Sequence, residues 1–178
     1  IEGQHIPLDG SELGAGKVAM MLRFPVGVVG AIVPFNAPLS MACHKVGPAV
    51  AAGNALVFKA PPEAPSAIAM LADAFAAAGI APGAFNVLNG HAGVGAAMVA
   101  DPRVDFITFT GSTRAGLAVR AAAGLRRSTL ELGGLGPNIV HADADVDHAA
   151  PLCAVNGTRL AGQSCVSVQN LFVHRSLL

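Results

Sequence analysis

The sequence predicts an α/β fold with a doubly wound parallel sheet, and three features of its pattern lead to that prediction. Short apolar runs rich in β-branched residues alternate with longer helical stretches from residue 25 onward. The cycle of strand, helix and strand occurs four times, which is typical of right-handed crossovers between parallel strands. Polar residues recur directly after the strands, at the edge where such sheets bind ligands.

Each predicted element is an apolar run bounded by turn residues. The predicted strands cover 26–33, 55–59, 85–89, 106–110, 128–132 and 137–141. The predicted helices cover 41–52, 66–79, 93–100 and 117–124, and a further helix starts near Val146. Ser66 is expected to cap its helix, with Gly79 beyond the end. Pro151 fits the last helix only if that helix starts near residues 148–150.

Residues 1–24 have no core of their own and suggest a hairpin arm. Two extended runs, 1–9 and 17–24, flank a link that contains Gly and Ser. The second run is apolar and needs another surface to cover it. A strand of the main sheet is the alternative interpretation of this segment.

Composition narrows the classes of function. The chain has 178 residues, of which 53% are hydrophobic and 12% charged, with 11 basic and 11 acidic side chains. Zero net charge and the absence of Trp and Tyr argue against nucleic-acid binding. No apolar run is long enough for a membrane span, and no signal peptide is visible. Three widely spaced cysteines predict no zinc cluster or disulfide framework, so we expect no metal and a reducing, cytoplasmic setting.

Five polar positions follow predicted strands and should share one rim of the sheet. They are Asn36, Lys59, the 90–95 loop, the 111–113 turn and Glu131. Because the carboxyl ends of parallel strands meet at one edge, we expect these groups to lie near one another.

Three of these side chains allow two interpretations each. Asn36, in a loop between two prolines, is either a fixed amide donor or a turn residue with local hydrogen bonds. Lys59 either binds ribose hydroxyls or a 2′-phosphate, or extends from a strand end to solvent. Glu131, a lone acid in an apolar strand, is either a general base or half of a structural ion pair.

The segment FTGSTRAG, at 109–116, follows a strand and opens a helix. Gly111 and Gly116, with Ser112 between them, allow backbone N–H groups and the helix dipole to meet a phosphate. The pattern is not G-x-G-x-x-G, so an ordinary turn is the alternative.

Cys165 follows a Gly-Gln-Ser turn at the end of the last helix. Gly162 frees the backbone and the two polar residues disfavour burial, which suggests a positioned nucleophile. Backbone N–H groups or a nearby base can lower the pKa of such a thiol. The alternative is a small buried apolar residue.

Five blocks of the chain, in order, resemble the aldehyde dehydrogenase superfamily. They are PVGVVGAIVPFNAPL, HKVGPAVAAGNALVFK, FTGSTRAG, STLELGGLGPNIVHADADVD and AGQSC. Nearly the whole chain looks like the middle of such a protein. The resemblance implies an oligomerisation arm at 1–24, a Rossmann-like dinucleotide-binding domain at 25–133 and the start of a catalytic domain at 134–178.

The resemblance also implies roles for individual residues. Cys165 becomes the nucleophile, Glu131 the general base and Asn36 the oxyanion donor, while Lys45 resembles a lysine that supports them from behind. The expected contacts of NAD or NADP are Lys59, Gly95, Gly111, Ser112, Gly116, Leu132, Pro34 and Phe35. The implied reaction is oxidation of an aldehyde to a carboxylic acid through a cysteine thiohemiacetal and thioester, in a homodimer or homotetramer. A coenzyme A-acylating enzyme and an inactive nucleotide-binding fragment are the alternatives.

The chain departs from the family pattern in three respects. Pro62 stands where the family often has a ribose-binding Glu, which leaves the choice between NAD and NADP open. Leu135 follows ELGG where Lys or Asn is common. The first residue is not Met and the family's second half does not follow Leu178, so we expect a piece that is inactive or poorly folded alone.

Overall fold

The computed structural model describes residues 2–178. Its strands are β1 (Gln4–Ile6), β2 (Ala19–Met21), β3 (Val28–Ile32), β4 (Ala55–Lys59), β5 (Phe85–Leu88), β6 (Phe106–Thr110), β7 (Arg127–Glu131), β8 (Pro137–Val140) and β9 (Asn170–Val173). Its α-helices are α1 (Pro38–Ala51), α2 (Pro65–Ala77), α3 (Ala92–Ala100), α4 (Thr113–Ala123) and α5 (Val146–Thr158). No helix within residues 2–178 combines the length and apolar character needed to cross a bilayer.

The central sheet confirms the predicted doubly wound α/β class. Five parallel strands lie in the order β5-β4-β3-β6-β7. Ile32 of β3 is in register with Lys59 of β4 on one side and with Phe109 of β6 on the other. Along the chain, β4 and β5 therefore lie on one side of β3, and the later strands β6 and β7 lie on the other side. In such sheets the gap between β3 and β6 is the switch point at which ligands bind.

Two apolar layers cover the two faces of this sheet. One lies beneath α1 and α2 and includes Leu56, Phe58 and Ile68. The other lies beneath α3 and α4 and includes Met98 and Ile107. Neighbouring residues of β3 and β4 alternate between these layers, as the two-residue period of a strand requires. This double covering holds the carboxyl ends of the strands as a fixed platform for the site.

Two helix starts differ from prediction. α1 begins at Pro38, three residues earlier than expected, because proline is favoured in the first turn of a helix. α2 begins at Pro65, so Ser66 lies inside the helix and the prediction that it caps α2 is wrong. Ala64 occupies the cap position without a side-chain hydrogen bond. The fixed φ of proline determines both starts more strongly than a capping hydroxyl.

α5 starts at Val146, as predicted, and the expectation that Pro151 requires a start near residues 148–150 is wrong. Asp145 caps the helix, and its carboxylate accepts a hydrogen bond of 3.2 Å from the backbone N–H of His148. The helix therefore begins at Val146, and Pro151 lies in its interior rather than in its first turn. None of the residues of α5 is buried. The carbonyl that Pro151 leaves without a helical donor can thus be solvated.

Two small two-stranded units accompany the sheet. β1 and β2 pair antiparallel, so the segment predicted as an arm is a hairpin and not a strand of the central sheet. β8 and β9 pair in parallel as a separate unit. The sequence pattern did not predict β9. After α5 the chain passes Cys165 and then returns beside residues 134–140, where β9 pairs with β8. This pairing positions the cysteine loop.

Candidate active site

A cavity of about 950 Å³ opens at the switch point, beyond the carboxyl ends of β3, β6 and β7. Three predicted catalytic residues, Asn36, Glu131 and Cys165, line it although they are far apart in the chain. Four of the predicted cofactor contacts line it as well: Pro34, Phe35, Gly111 and Ser112. The fold therefore brings the three predicted catalytic residues and half of the predicted cofactor contacts to one cavity, while Gly116 and Leu132 line neither this cavity nor the second one described below.

The chain reaches Cys165 through an uncommon backbone turn after α5. Leu160 and Ala161 have φ values of 53° and 55°, in the left-handed region that side-chain-bearing residues rarely adopt. Gly162 follows with φ 74°. Strained conformations of this kind cost roughly 1–3 kcal/mol each and persist where the surrounding structure enforces them. The turn leaves the Cys165 thiol exposed on the cavity wall, which rules out the alternative of a buried apolar residue.

The surroundings of Cys165 raise the pKa of its thiol above the ordinary value of 9.0. Partial enclosure contributes most, and hydrogen bonding to Glu131 and the charge of that carboxylate add to it. The backbone N–H groups of Cys165 and Val166 act in the opposite direction but are outweighed. The surroundings of Cys165 therefore act against the lowering of the thiol pKa that the sequence suggested.

Glu131 is the last residue of β7, and its exposed side chain lines the cavity. The backbone N–H of Gly111 donates a hydrogen bond of 3.1 Å to the carbonyl oxygen of Glu131, which fixes the strand end. Within the described part of the chain the Glu131 carboxylate forms no ion pair. It is therefore free to accept the proton of the thiol that it faces.

Asn36 is tethered directly to the cysteine loop. Its side-chain Nδ2 donates a hydrogen bond of 2.5 Å to the backbone carbonyl oxygen of Gln163. Its Oδ1 is buried and has no hydrogen-bond partner among residues 2–178. The hydrogen bond to Gln163 spans 127 positions of the chain, so the alternative of a turn residue with local hydrogen bonds is not what the structure shows. A buried acceptor without a partner is costly, so Oδ1 is the less favourable side of this arrangement. One N–H of the Asn36 amide remains uncommitted.

Lys45 reaches from α1 to the underside of the same site. Its Nζ donates a hydrogen bond of 2.8 Å to Oγ1 of Thr108 on β6. Burial lowers the pKa of Lys45 to about 8, although the nearby Glu131 carboxylate acts in the opposite direction. Lys45, which the resemblance predicts to support the catalytic residues from behind, is thus a partly buried amine close to Glu131.

A second cavity of about 540 Å³ lies between α3 and α4, and both Lys59 and Gly95 line it. The Lys59 side chain is largely enclosed, with a residue exposure of 7%. Burial lowers the pKa of Lys59, and the charge of Glu63 partly offsets that effect. Among residues 2–178 the Lys59 ammonium has no ion-pair partner. An enclosed cation beside an apolar cavity is suited to hydrogen-bond a ligand that fills the cavity.

The glycines of the 109–116 segment serve packing more than phosphate binding. A side chain at Gly116 would place Cβ 2.4 Å from Cδ2 of Leu132, so the glycine allows α4 to approach the end of β7. The N–H of Gly116 already donates to the carbonyl oxygen of Ser112 at 2.9 Å. Gly111 likewise donates to Glu131. The predicted phosphate contacts of these two glycines stay predictions, and their N–H groups are committed elsewhere.

The free N–H groups at this turn belong to other residues. Ser112 caps α4, and its Oγ accepts from the backbone N–H of Ala115 at 3.3 Å. Thr113 and Arg114 occupy the first turn of α4, where backbone N–H groups have no intrahelical acceptor. Thr113 lines the first cavity and Arg114 the second. A ligand that spans both cavities would meet the positive end of α4 between them.

Nothing in the sequence pattern marks Arg159 as a site residue, yet it lines the first cavity. It lies six positions before Cys165, just after the end of α5. A lone cation so close to a candidate nucleophile is the signal that could have identified it.

The whole chain also matches a known family. The model for the aldehyde dehydrogenase family covers residues 1–178. This chain belongs to the aldehyde dehydrogenase family. Membership of this family accounts for both the five sequence blocks and the parallel sheet.

Individual curated proteins and solved structures are similar to most of the chain. A 3-sulfolactaldehyde dehydrogenase of Priestia aryabhattai is 41% identical over 178 residues, which is 99% of this chain and 37% of that protein. The crystal structure of an NADP-dependent enzyme of E. coli has a TM-score of 0.92 and 36% identity, over 99% of this chain and 37% of that one. An aldehyde dehydrogenase C of Pseudomonas syringae, solved as a cysteine-to-alanine variant with NAD+ and octanal, has a TM-score of 0.85 and 42% identity, over 88% and 33%.

This aldehyde dehydrogenase chain spans about a third of the length of these relatives, 37% of the curated protein and 33% to 37% of the two structures. The activity, substrate and assembly of a whole enzyme are therefore matters for proposal.

Proposed function

We propose that this chain carries the reacting groups and cofactor framework of an NAD(P)-dependent aldehyde dehydrogenase, which oxidises an aldehyde to a carboxylic acid. The observation that supports this most is the meeting of Cys165, Glu131 and Asn36 on one cavity at the switch point. Thiol, carboxylate and amide are the three groups that nucleophilic attack on a carbonyl requires: a nucleophile, a proton acceptor and an oxyanion donor.

The first step is addition of the Cys165 sulfur to the aldehyde carbon. The raised thiol pKa means that the proton must leave as the sulfur attacks, and Glu131 is the carboxylate that receives it. A carbon–sulfur bond forms, the carbonyl π electrons move to the oxygen, and a thiohemiacetal oxyanion results.

The new oxyanion is stabilised by donors on both sides of the sulfur. Asn36 offers its second amide N–H, because the first is held by Gln163. The N–H groups of Cys165 and Val166, which already face the sulfur, are the backbone donors. One donor of this kind contributes about 10²–10³ in rate.

A nicotinamide dinucleotide fits the two adjoining cavities. Lys59 and Gly95 border the apolar cavity of about 540 Å³, which suits an adenosine, and the first turn of α4 offers N–H groups to phosphates. Pro34, Phe35 and Leu132 complete the proposed contacts near the reacting groups. A bound nicotinamide would supply the hydride acceptor that oxidation of the cysteine adduct to a thioester requires. Pro62 also lines the adenosine cavity and supplies no carboxylate there, so both NAD and NADP are admitted.

Once the proton taken from the thiol has passed to solvent, the Glu131 carboxylate takes a proton from water, and the resulting hydroxide attacks the thioester carbon. The carbon–sulfur bond breaks, the acid leaves, and the sulfur takes up a proton to restore the thiol. The exposure of the Glu131 carboxylate to the cavity supports this second role. Coenzyme A would need no such base, since a thiol is a better nucleophile than water. Product analysis with and without coenzyme A separates hydrolysis from acyl transfer.

We infer two properties of the whole protein from its surface chemistry. The hairpin arm exposes Val18, Met20, Leu22 and Phe24 by 61% to 78%, which favours an interface with a second copy in a homodimer or homotetramer. The three cysteines are free thiols, which favours a reducing, cytoplasmic location. The relatives act on or bind 3-sulfolactaldehyde and octanal, so their names leave the aldehyde of this chain open.

Trapping of the thioester tests the proposal. In Glu131→Gln, incubation with an aldehyde and NAD+ or NADP+ at a pH high enough to ionise the thiol without a base should leave an acyl group on Cys165, because the base for thioester hydrolysis is missing. The adduct is visible by intact and peptide mass spectrometry. Cys165→Ser should show no adduct, and Cys43→Ser should behave as the parent. Formation of acid without any cysteine adduct, or retained activity in Cys165→Ser, would refute the mechanism. Nucleotide binding without adduct formation would instead favour the inactive nucleotide-binding fragment.

A further inference from the structure

The loop that carries Cys165 is fastened at both of its ends by side-chain amides. At its start, Nδ2 of Asn36 donates to the carbonyl oxygen of Gln163. At its end, Nε2 of Gln169 donates a hydrogen bond of 3.1 Å to the carbonyl oxygen of Gly134. The first bond joins the loop to the segment after β3, and the second joins it to the segment after β7. The candidate nucleophile therefore lies between two anchors on different strand ends of the central sheet.

The segment that receives the second anchor is held by side-chain hydrogen bonds. Residues 132–136 form neither helix nor strand, and a side chain at Gly134 would meet no atom within 4 Å. Two amides that follow Cys165 bind its carbonyl oxygens, Gln169 at Gly134 and Asn170 at Leu135, the latter at 3.0 Å. Each bond crosses 35 positions of the chain. These amides thus connect the end of β7 to the cysteine loop.

Gln169 lies close in the chain to the candidate nucleophile, and its partner Gly134 lies close to the candidate base. Gln169 follows Cys165 by four positions, and Gly134 follows Glu131 by three. All four residues line the first cavity. The backbone of Glu131 is already fixed in the sheet through the N–H of Gly111. The bond from Gln169 therefore acts on the cysteine side, and it keeps the sulfur beside a strand end that does not follow its movements.

The geometry of the site depends on this bond more than the stability of the fold does. The side chain of Gln169 is exposed, so its hydrogen bond competes with water and stabilises the fold only slightly. Proton transfer from the Cys165 thiol to the Glu131 carboxylate, in contrast, requires the two groups to stay within hydrogen-bond reach. A displacement of about 1 Å can lower the rate of such a reaction about 10²-fold.

We propose that Gln169 is a positioning residue, whose amide holds the cysteine loop against the segment after β7 so that the Cys165 thiol faces the Glu131 carboxylate. This inference rests on the proposed roles of Cys165 and Glu131. Gln169 takes no part in bond formation and acts only through the position of the sulfur.

The pH–rate profile of Cys165 alkylation reports whether the carboxylate faces the sulfur. Iodoacetamide is the probe, and peptide mass spectrometry gives its rate at each cysteine in the parent, Gln169→Met, Glu131→Gln and the double variant. Methionine keeps the length of glutamine and removes the donor without a change of charge. The charged groups around the cavity, which are Glu131, Arg159 and the nearby Lys45, are thus the same in the parent and in Gln169→Met.

Glu131→Gln should lower the midpoint of the profile by about 0.7 pH unit, the effect of one unit charge in contact with another in water. Gln169→Met should lower it by a measurable part of that shift, because the sulfur moves away from the carboxylate. The double variant should have the midpoint of Glu131→Gln, since no carboxylate is left to face the thiol. Gln169→His, neutral above about pH 8 and still an N–H donor, should restore most of the parent's midpoint.

Gln4→Met is the matched control, since Gln4 lies in the hairpin arm and lines neither cavity. It makes the same chemical change and should leave the midpoint at Cys165 unchanged. Cys153, half-buried in α5, serves as the measure of folding in every sample.

Three results would overturn the inference. They are an unchanged midpoint in Gln169→Met, an equal shift when the same substitution is made in Glu131→Gln, and faster alkylation of Cys153 in Gln169→Met, which would mean a general structural role. If Glu131→Gln leaves the parent's midpoint unchanged, the proposed pairing of thiol and carboxylate fails, and the inference fails with it. A shift in Glu131→Gln without one in Gln169→Met leaves that pairing standing and refutes the role of Gln169 alone.

Discussion

The amide Nδ2 of Asn36 donates a hydrogen bond of 2.5 Å to the backbone carbonyl oxygen of Gln163, a residue 127 positions further along the chain. This bond joins the loop after β3 to the loop that carries Cys165. The candidate oxyanion donor and the candidate nucleophile are thus positioned by one contact. Movement of either loop would displace both groups, so the site is organised as a unit.

Removal of the Asn36 amide should therefore slow formation of the cysteine adduct. In Asn36→Ala we expect the rate of Cys165 acylation by aldehyde and cofactor to fall by about 10²–10³, the contribution of one oxyanion donor. Single-turnover mass spectrometry measures that rate. Asn86→Ala is the control, since it also removes an amide that bonds to a backbone carbonyl, that of Gly83 at 2.7 Å, but lies away from the cavity. Equal rates for the two variants would contradict the role of Asn36.

The Glu131 carboxylate should control the pH dependence of Cys165 alkylation. Its hydrogen bond and charge raise the pKa of the thiol, so the midpoint of the pH–rate profile should lie above the ordinary 9.0. In Glu131→Gln the midpoint should move to lower pH, because the negative charge beside the thiolate is gone. Iodoacetamide labelling of each cysteine across pH gives both midpoints. A midpoint that stays fixed or rises would show that Glu131 does not face the sulfur.

Lys45 should make stability rise with pH in a defined window. Its pKa falls from 10.5 to about 8 in the folded chain, so between these values the unfolded chain binds more protons than the folded one. The free energy of unfolding should therefore increase across the window, by on the order of 1–3 kcal/mol after allowance for solvent screening. Urea unfolding at several pH values should show that rise in the parent and not in Lys45→Met. Lys17→Met, at an exposed position, should keep the parent's slope.

Arg126 should be among the most important side chains for stability outside the site. Its guanidinium donates to the backbone carbonyl oxygens of Val99, Asp101, Val104, Ala122 and Ala123. These carbonyl groups lie at the carboxyl ends of α3 and α4 and in the segment that leads into β6. Arg126→Met leaves several of them without donors and should lower the free energy of unfolding by about 2–4 kcal/mol.

The adjacent Arg127→Met supplies the control for that measurement. Arg127 is exposed at the start of β7 and should change the free energy of unfolding by less than about 0.5 kcal/mol. Urea denaturation of both variants gives the comparison. Similar values would mean that the carbonyls around Arg126 are satisfied by water once the guanidinium is removed.

Local pattern was sufficient for the central strands of the sheet because β3, β4 and β6 have buried residues that face the helical layers. A continuous apolar run such as 55–59 has one stable environment, between two helical layers, and β4 occupies it. Boundaries were less predictable where two local preferences competed. At α2 the ring of Pro65 and the hydroxyl of Ser66 both favour a helix start, and the ring determined it. At α5 the carboxylate of Asp145 started the helix well before Pro151.

The sequence by itself determined the fold class, the family resemblance and the candidates Cys165, Glu131 and Asn36, since those depend on residue types in a fixed order. The tertiary structure alone decided what each group faces. In that structure partial enclosure, and secondly the Glu131 carboxylate, raise the pKa of the thiol. The N–H groups of Gly111 and Gly116 are committed within the fold, and Arg159 lines the cavity of the nucleophile. The physical reason is that hydrogen bonds and electrostatic effects depend on distances between residues remote in the chain, which no local pattern contains.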